Sequence, residues 1–298
     1  MGNKDITQKR LEDWADVFSD IVNVLMFDGE EKIKPEALVS ALPKSIYKAD
    51  GTIHEQERDV AKYWTVNGVT FLLLGIENQT SADRYMPIRC FSYDGASYRN
   101  QLNKHDDDVR RSAHPDKLFP VITIVLYFGD KHWDQPRSLK EALDIPEGFE
   151  PFVNDYNIHV YEIQYLSDET VKKFRSDFKY VAQLFTQVRK KRTGEIKQIS
   201  VPPQDPIHVL EVLDLMKAMT GDNRFEDLCN QYIKGGSVDM RTIFDERYDE
   251  GRRDALITLM CEEIHEGIRT KEQAAAKAGM TLPEFEAALD EYRQKNQN

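Results

Sequence analysis

The sequence RDVAKYWTVNGVTFLLLGIENQ, residues Arg58–Gln79, carries the clearest structural signal in the chain. Two apolar runs rich in β-branched and aromatic residues flank the dipeptide Asn67-Gly68. This dipeptide is typical of a type I′ turn, because both central residues of that turn need a positive φ. The stretch therefore predicts a β-hairpin, with Asp59 at the start of its first strand and Glu77 near the end of its second.

The register of this hairpin determines whether its two acids meet. A regular ladder closed by the predicted turn would place Asp59 opposite Ile76, with Glu77 on the other face of the sheet. A β-bulge adds one residue to one strand and shifts the pairing by one. Gly75 is the candidate, because a glycine inside a strand often marks a bulge. With the bulge, Asp59 faces Glu77, and Gln79 points to the same side as Glu77.

Two carboxylates and one amide would then converge at one end of the hairpin. Like charges that face each other destabilise a sheet unless a cation joins them. Hard oxygen ligands of this kind suit Mg²⁺ or Mn²⁺. The alternative interpretation is an ordinary hairpin with solvated acids at its ends. The same spacing is therefore compatible with a metal site or with no site at all.

Length, charge and cysteine content restrict the class of protein. The chain has 298 residues and a formal net charge of −12, which argues against a general nucleic-acid coat but permits a nuclease with a local basic groove. It has no apolar run of about 18 residues and no signal-peptide core. Its three cysteines, Cys90, Cys229 and Cys261, are scattered. These features predict a cytoplasmic globular protein without a membrane partner.

The remaining periodicity predicts an α/β fold, a mixed central sheet flanked by helices and followed by an all-helical C-terminal region. The continuous apolar run at 118–128 is typical of a strand buried on both faces. We expect an irregular segment at 34–50 and a mobile charged loop at 103–116. Other predicted elements are helices at about 7–27, 84–102 and 167–191, a strand at 157–166, a linker at 198–206, and helices at 207–220, 224–233 and 240–267.

The last thirty residues predict a small helix-turn-helix-like pair. Thr270 with Gln273, and Thr281 with Glu284, have the spacing of capping boxes. In a DNA-reading version the second helix enters the major groove. Its acidic residues would repel phosphates, so the pattern favours a packing or protein-contact module.

Several charged residues outside the hairpin are candidates for the same chemistry. Asp16, on the first predicted helix, is a candidate third metal ligand, although a solvated helix edge is the alternative. Arg89 and Arg99 lie on the second helix among tyrosines, and arginine holds phosphate oxygens bidentately. The alternative is that this face is partly core. The basic run at 189–192 indicates a solvated helix end or a phosphate contact.

Four segments in this order resemble a known family: RDV, LLGIENQ, RYMPIRCFSYDGASY and LFPVITIVLYFGDKHWDQPRSL. They are similar to the Rpn family of recombination-promoting nucleases, also labelled YhgA-like transposases, in the PD-(D/E)XK nuclease superfamily. The similarity covers about residues 8–165, and the helical tail is similar to tails of bacterial members. The resemblance implies a nuclease-like domain at 1–166, a helical region at 167–236 and a helical tail at 237–298.

The resemblance also implies a function. A family member would have an αβββαβ-type core and cleave DNA phosphodiesters with Mg²⁺ or Mn²⁺. Asp59 matches the first acid, Glu77 and Gln79 match the E-x-Q form of the motif, and Arg89 matches the arginine of the MPIR segment. Asp16 is our choice for the upstream helix acid.

Two departures from the superfamily pattern matter. Gln79 stands where lysine is usual, so we expect slow or regulated cleavage. Arg58 replaces the proline of the superfamily name, which we expect to be harmless. A nuclease fold that no longer cuts and serves as a DNA-binding or protein-interaction module is the alternative. A transposase proper is a third interpretation. DNA is the expected partner, and the helical C-terminal region is a candidate for homo-oligomer contacts.

Overall fold

The computed structural model describes residues 11–41, 44–49, 52–103, 117–197, 199, 206–220, 223–235, 260, 264, 269–278 and 280–295. The strands are β1 (Leu38–Ser40), β2 (Lys44–Ala49), β3 (Thr52–Glu57), β4 (Val60–Val66), β5 (Val69–Gln79), β6 (Val121–Tyr127) and β7 (His159–Glu162). The helices are α1 (Ala15–Phe27), α2 (Met86–Asn103), α3 (Asp168–Lys173), α4 (Phe178–Arg192), α5 (Val209–Thr220), α6 (Arg224–Ile233), α7 (Lys271–Ala278) and α8 (Leu282–Lys295).

A mixed five-stranded sheet organises the first half of the chain. Its strand order is β1-β4-β5-β6-β7. The pairs β1–β4 and β4–β5 are antiparallel, whereas β5–β6 and β6–β7 are parallel. Strands β2 and β3 form a separate antiparallel pair. The predicted α/β fold with a mixed sheet is confirmed.

The β4–β5 hairpin has the predicted turn and the predicted shift. Asn67 and Gly68 have φ values of 52° and 76°, as a type I′ turn requires. The ladder starts at Val66 and Val69 but later pairs Trp64 with Leu72, so Phe71 is the additional residue. The bulge predicted at Gly75 is therefore wrong in position, although the one-residue shift that it was to produce is present.

Gly75 is required for a different reason. It pairs with Ala61 in the regular part of the ladder. A Cβ atom at Gly75 would lie 2.7 Å from Arg58 Cδ and 3.2 Å from Thr123 Oγ1. The absence of a side chain at Gly75 therefore provides the space that the Arg58 side chain occupies on this face of the sheet.

Helices cover the two faces of the sheet. On one face, Met86 and Cys90 of α2 pack in a buried cluster with Val125 and Tyr127 of β6. On the other face, the ammonium group of Lys62 lies over the ring of Phe18 of α1. Because successive strand residues point to opposite faces, each strand contributes to both layers. This arrangement explains the continuous apolar run of β6.

The second half of the sheet region differs from its predicted boundaries. The predicted strand at 157–166 is shorter, because β7 ends at Glu162 and a 3-10 turn, Ile163–Tyr165, follows. The predicted helix at 167–191 is two helices. Asp20 Oδ2 accepts hydrogen bonds from the backbone N–H groups of Arg175 and Ser176, which stabilises the break between them.

The first segment also differs from its prediction. The stretch 34–50 contains β1 and β2, so its irregular assignment is wrong in part. Of the predicted first helix, residues 7–10 lie outside the described residues. The predicted loop at 103–116 and the segments 198–206 and 240–267 lie largely outside them as well.

The chain divides into two compact units, residues 1–190 with 200–238, and residues 191–199 with 239–298. In the second unit, Thr270 and Gln273 exchange hydrogen bonds between side chain and backbone, which confirms the first predicted capping box. The division into three regions stays a prediction. The core of the second unit contains Met260, Ala274, Ala275, Phe285 and Leu289.

No helix in the described part of the chain is long and apolar enough to cross a bilayer.

Candidate active site

The two hairpin acids meet at the carboxyl end of β5. Val60 pairs with Ile76, so the register places Asp59 opposite Glu77. Asp59 Oδ2 accepts a 2.7 Å hydrogen bond from the backbone N–H of Asn78, the residue after Glu77. The Glu77 side chain is almost completely buried. The structure therefore brings together the two acids that the sequence predicted.

A third acid, Glu12, joins them from the turn that precedes α1. Its side chain is fully buried, and Asn78 Nδ2 donates a 2.6 Å hydrogen bond to Glu12 Oε2. Glu12 Oε1 is buried and accepts no hydrogen bond from any described residue. Burial raises the pKa of Glu12 to about 8, and the charges of Asp59 and Glu77 add to the rise, whereas the Asn78 hydrogen bond opposes it. Three carboxylates therefore interact electrostatically at this end of the sheet.

Sequence reasoning missed Glu12 and selected Asp16. The structure places Asp16 Oδ2 3.3 Å from His208 Nε2, in a half-exposed position beside a separate pocket. The missed signal was a polar stripe, because Glu12, Ser19 and Asn23 follow at intervals of seven and four residues and all three are buried. Polar residues on the buried face of an apolar helix need partners there.

Arg89 lies at the site, and it contacts the acids. Its Nη2 lies 3.2 Å from Glu77 Oε2 and its Nη1 lies 3.2 Å from Asp83 Oδ2. The hydroxyl of Tyr93 is 3.5 Å from Nη2. The Arg89 side chain is 38% exposed, whereas that of Glu77 is 2% exposed. The guanidinium group therefore supplies positive charge to a buried carboxylate at the edge of solvent.

The two other predicted site residues have different surroundings. Gln79 is half-buried at the end of β5, and the alternation of the strand places its side chain on the same face as that of Glu77. Arg99 is exposed on α2. It lies ten residues after Arg89, which corresponds to about 15 Å along the helix. The structure therefore places Gln79 with the acids and Arg99 away from them.

Arg58 is the centre of a buried ionic network. Its Nη2 lies 2.7 Å from Asp94 Oδ1, and its Nη1 donates to Ser97 Oγ at 2.9 Å. Thr123 and Tyr156 each donate a 2.6 Å hydrogen bond to the Asp94 carboxylate. This network ties α2 to β6 and to the start of β4. The expectation that arginine is a harmless replacement at this position stays a prediction; the structure adds that its side chain connects the elements that carry the site.

The oxygen donors at this site have the chemistry that a hard divalent cation prefers. Among the described residues, no group of three or more His, Cys, Asp or Glu side chains has the arrangement of a metal site. The oxygen chemistry nevertheless agrees, because Asp59, Glu77 and Glu12 are carboxylates that repel one another and Glu12 Oε1 is buried without a donor. A cation at this position would offset the charges of Asp59 and Glu77, which add to the rise of the Glu12 pKa that burial causes.

Comparison with known proteins assigns the family. Residues 50–201 match the model of the family described as "Putative transposase, YhgA-like". The matched region includes the hairpin acids, Gln79 and Arg89, and it excludes Glu12. No curated protein and no solved structure matches the chain. Since the match spans half of the chain and includes the hairpin at the candidate site, this protein belongs to the YhgA-like transposase family.

Proposed function

We propose that this protein is a metal-dependent endonuclease that hydrolyses phosphodiester bonds of DNA. The observation that carries the proposal is the shifted hairpin register, in which the ladder pairs Val60 with Ile76 and Asp59 and Glu77 are the next residues on the two strands. The raised pKa of Glu12 supports it, because part of that rise comes from the charges of the same two acids. Two ionised carboxylates beside a third, buried acid are unfavourable unless protonation or a cation offsets their charge.

Asp59 and Glu77 are the residues that would hold Mg²⁺ or Mn²⁺, with Glu12 as the third acid. When bound, the cation supplies Lewis-acid stabilisation of the phosphate and activation of water. Gln79 lies on the Glu77 face of β5, where its amide can orient the attacking water. A neutral amide cannot accept a proton as a carboxylate or an imidazole does. We therefore expect slow turnover.

Arg89 has two roles in this proposal. In the present structure it neutralises Glu77 through a 3.2 Å contact. With a cation held by the acids, the Arg89 guanidinium would be available to bind a phosphate oxygen and to stabilise the charge that develops during hydrolysis. Arg99, exposed on the same helix, is a further candidate for a phosphate contact.

Glu12 would have to lose its proton to act as a metal ligand. With a pKa of about 8, its carboxyl group is mostly protonated at neutral pH, and the proton resides in a buried position beside Asn78. Metal binding to protonated ligands displaces protons and therefore strengthens as pH rises. Metal affinity near neutral pH is expected to depend on this residue.

A nuclease fold that no longer cuts is the second candidate. The observation that favours it is the Arg89–Glu77 ion pair, which already neutralises the acid that a catalytic metal would use. Gln79 in place of lysine is compatible with either candidate. Metal binding separates them, because the enzyme has to bind Mg²⁺ or Mn²⁺ at Asp59 and Glu77, whereas an interaction module does not.

The test is cleavage of supercoiled plasmid DNA by purified protein in Mg²⁺, Mn²⁺ or EDTA. We expect nicked or linear product with either metal and none in EDTA, and no product from Glu77→Gln or Asp59→Asn. Glu36→Gln is the matched control, because Glu36 is an exposed glutamate outside the site. Equal cleavage by Glu77→Gln and the parent would overturn the proposal. Joined rather than cut strands would favour a transposase.

A further inference from the structure

The carboxyl ends of three parallel strands form one edge of the sheet. Gln79 at the end of β5 pairs with Tyr127, and Tyr127 pairs with Glu162 at the end of β7. The segments that follow β6 and β7 therefore continue the edge on which Glu77 lies. Since neighbouring strands are about 4.8 Å apart, β7 is about 10 Å from β5.

Glu162 fixes the segment that follows β6. Its carboxylate lies 2.9 Å from His132 Nδ1 and 2.7 Å from Arg137 Nη2, and it accepts a hydrogen bond from the backbone N–H of Trp133. The Trp133 ring packs at 5.1 Å against that of Tyr127, edge to face. Three contacts to one carboxylate and a buried indole hold His132 in a defined place.

His132 presents an aromatic surface at this edge. Its ring stacks on Tyr165, with 3.7 Å between centroids and 29° between planes. The His132 side chain is still 71% exposed, so most of the ring outside the stack is open to solvent. Tyr165 is held in turn by a 2.8 Å hydrogen bond from its hydroxyl to the Asp130 carbonyl oxygen, and the Arg189 guanidinium lies 5.4 Å from its ring centroid.

We propose that the His132–Tyr165 stack binds an unpaired nucleobase of the DNA substrate. A planar, exposed and fixed ring next to a phosphodiester-cleaving site matches the way that proteins hold single strands, because every base has a π-face that can stack. The inference rests on the proposed function, since it takes the hairpin acids as the cleavage site.

The position of the stack sets where it would contact the substrate. The stack lies on the segments that follow β6 and β7, at the edge of the sheet that also carries Glu77. We expect the stack to contact a base near the scissile phosphate, on a strand that is single-stranded or frayed there.

The test is fluorescence anisotropy of the full-length protein in EDTA. The probes are labelled single-stranded DNA, a duplex with a single-stranded extension, and a blunt duplex. We expect His132→Ala to weaken binding of the first two probes about tenfold, with an unchanged salt dependence, because stacking releases no counterions. Binding of the blunt duplex should stay unchanged. His159→Ala is the matched control, because His159 is exposed at the opposite end of β7.

His132→Phe separates stacking from the contact with Glu162. Phenylalanine keeps a flat ring but loses the nitrogen that faces Glu162, so we expect binding close to that of the parent. The inference is overturned if His132→Ala binds the extended duplex within twofold of the parent, if His132→Phe binds as weakly as His132→Ala, or if His159→Ala shows an equal loss. Failure of all parent binding also overturns it.

The binding assay contains no cleavage step, so the two proposals fail separately. A protein that binds through His132 but never cuts plasmid DNA contradicts the nuclease function alone. A protein that cuts plasmid DNA but binds the extended duplex equally with and without His132 contradicts the stacking site alone.

Discussion

Glu12 behaves differently from an ordinary glutamate because of where its carboxyl group lies. Its pKa in the folded protein is about 8, compared with 4.5 as the usual value. The folded state therefore binds this proton more tightly than the unfolded chain does. The resulting stabilisation is complete below about pH 4.5 and is lost as pH rises through about 8.

The prediction for Glu12→Gln follows from that sign. In EDTA, the parent should lose stability between pH 5 and pH 8, on the order of 4 kcal/mol for a shift of this size. Glu12→Gln should show a much flatter profile, because glutamine does not ionise and can still accept the hydrogen bond from Asn78. Urea unfolding at both pH values measures the difference. Asp16→Asn is the control and should show the same loss of stability between pH 5 and pH 8 as the parent. A flat profile for Asp16→Asn would contradict the assignment of the pH dependence to Glu12.

Arg89 gives a second prediction for a single residue. Arg89→Met should lower stability in EDTA by about 2 kcal/mol, because the buried Glu77 carboxylate loses its arginine partner at a site that is only partly shielded from solvent. Mg²⁺ should then stabilise the variant more than the parent. Thermal melts with EDTA and with Mg²⁺ measure both effects. Arg99→Met, an exposed arginine on the same helix, should change stability by less than about 0.5 kcal/mol. An equal rise in melting temperature with Mg²⁺ in Arg89→Met and in the parent would contradict the idea that a cation can replace Arg89 in neutralising Glu77.

Substitutions of two glycines test the packing of β5 and of α2. Gly75→Ala should destabilise the protein by about 1–3 kcal/mol, because the new methyl group would collide with Arg58 inside a packed sheet. Gly95→Ala, on α2, meets nothing within 4 Å and should stabilise the helix by up to about 1 kcal/mol. Chemical denaturation of both variants measures the opposite signs. A Gly75→Ala protein as stable as the parent would show that the Arg58 side chain does not need the space above Gly75.

Elements formed by local signals could be predicted from the sequence. The Asn67-Gly68 turn and the capping box at Thr270 depend on residues within four positions of each other, and both are present. The position of the bulge could not be predicted, because a bulge at Phe71 and a bulge at Gly75 give the same one-residue shift. The role of Glu12 depends on Asn78, 66 residues away, which no local pattern encodes.

At the scale of the molecule, each compact unit has its own core. Phe285 is fully buried in the cluster of the second unit. We expect Phe285→Ala to remove hydrogen-exchange protection from the backbone amides of α7 and α8, because deletion of a buried phenylalanine costs about 3–5 kcal/mol, which is a large loss for a small unit. Exchange followed by mass spectrometry measures it, with the amides of β5 and β6 as internal reference. Retained protection in both helices would show that other contacts hold them.

The bulge at Phe71 makes the hairpin subject to a parity rule. Side chains alternate between the two faces with every residue, and the arm from the turn to Glu77 has one residue more than the arm from the turn to Asp59. The bulge takes up that additional residue, whereas a regular ladder with Phe71 in place would turn the carboxyl group of Glu77 to the other side from that of Asp59. Removing Phe71 would give arms of equal length and a regular ladder in which the two acids still face each other. Any relative that cuts DNA with this pair should therefore have arms of equal length, or a bulge wherever one arm is longer than the other by one residue.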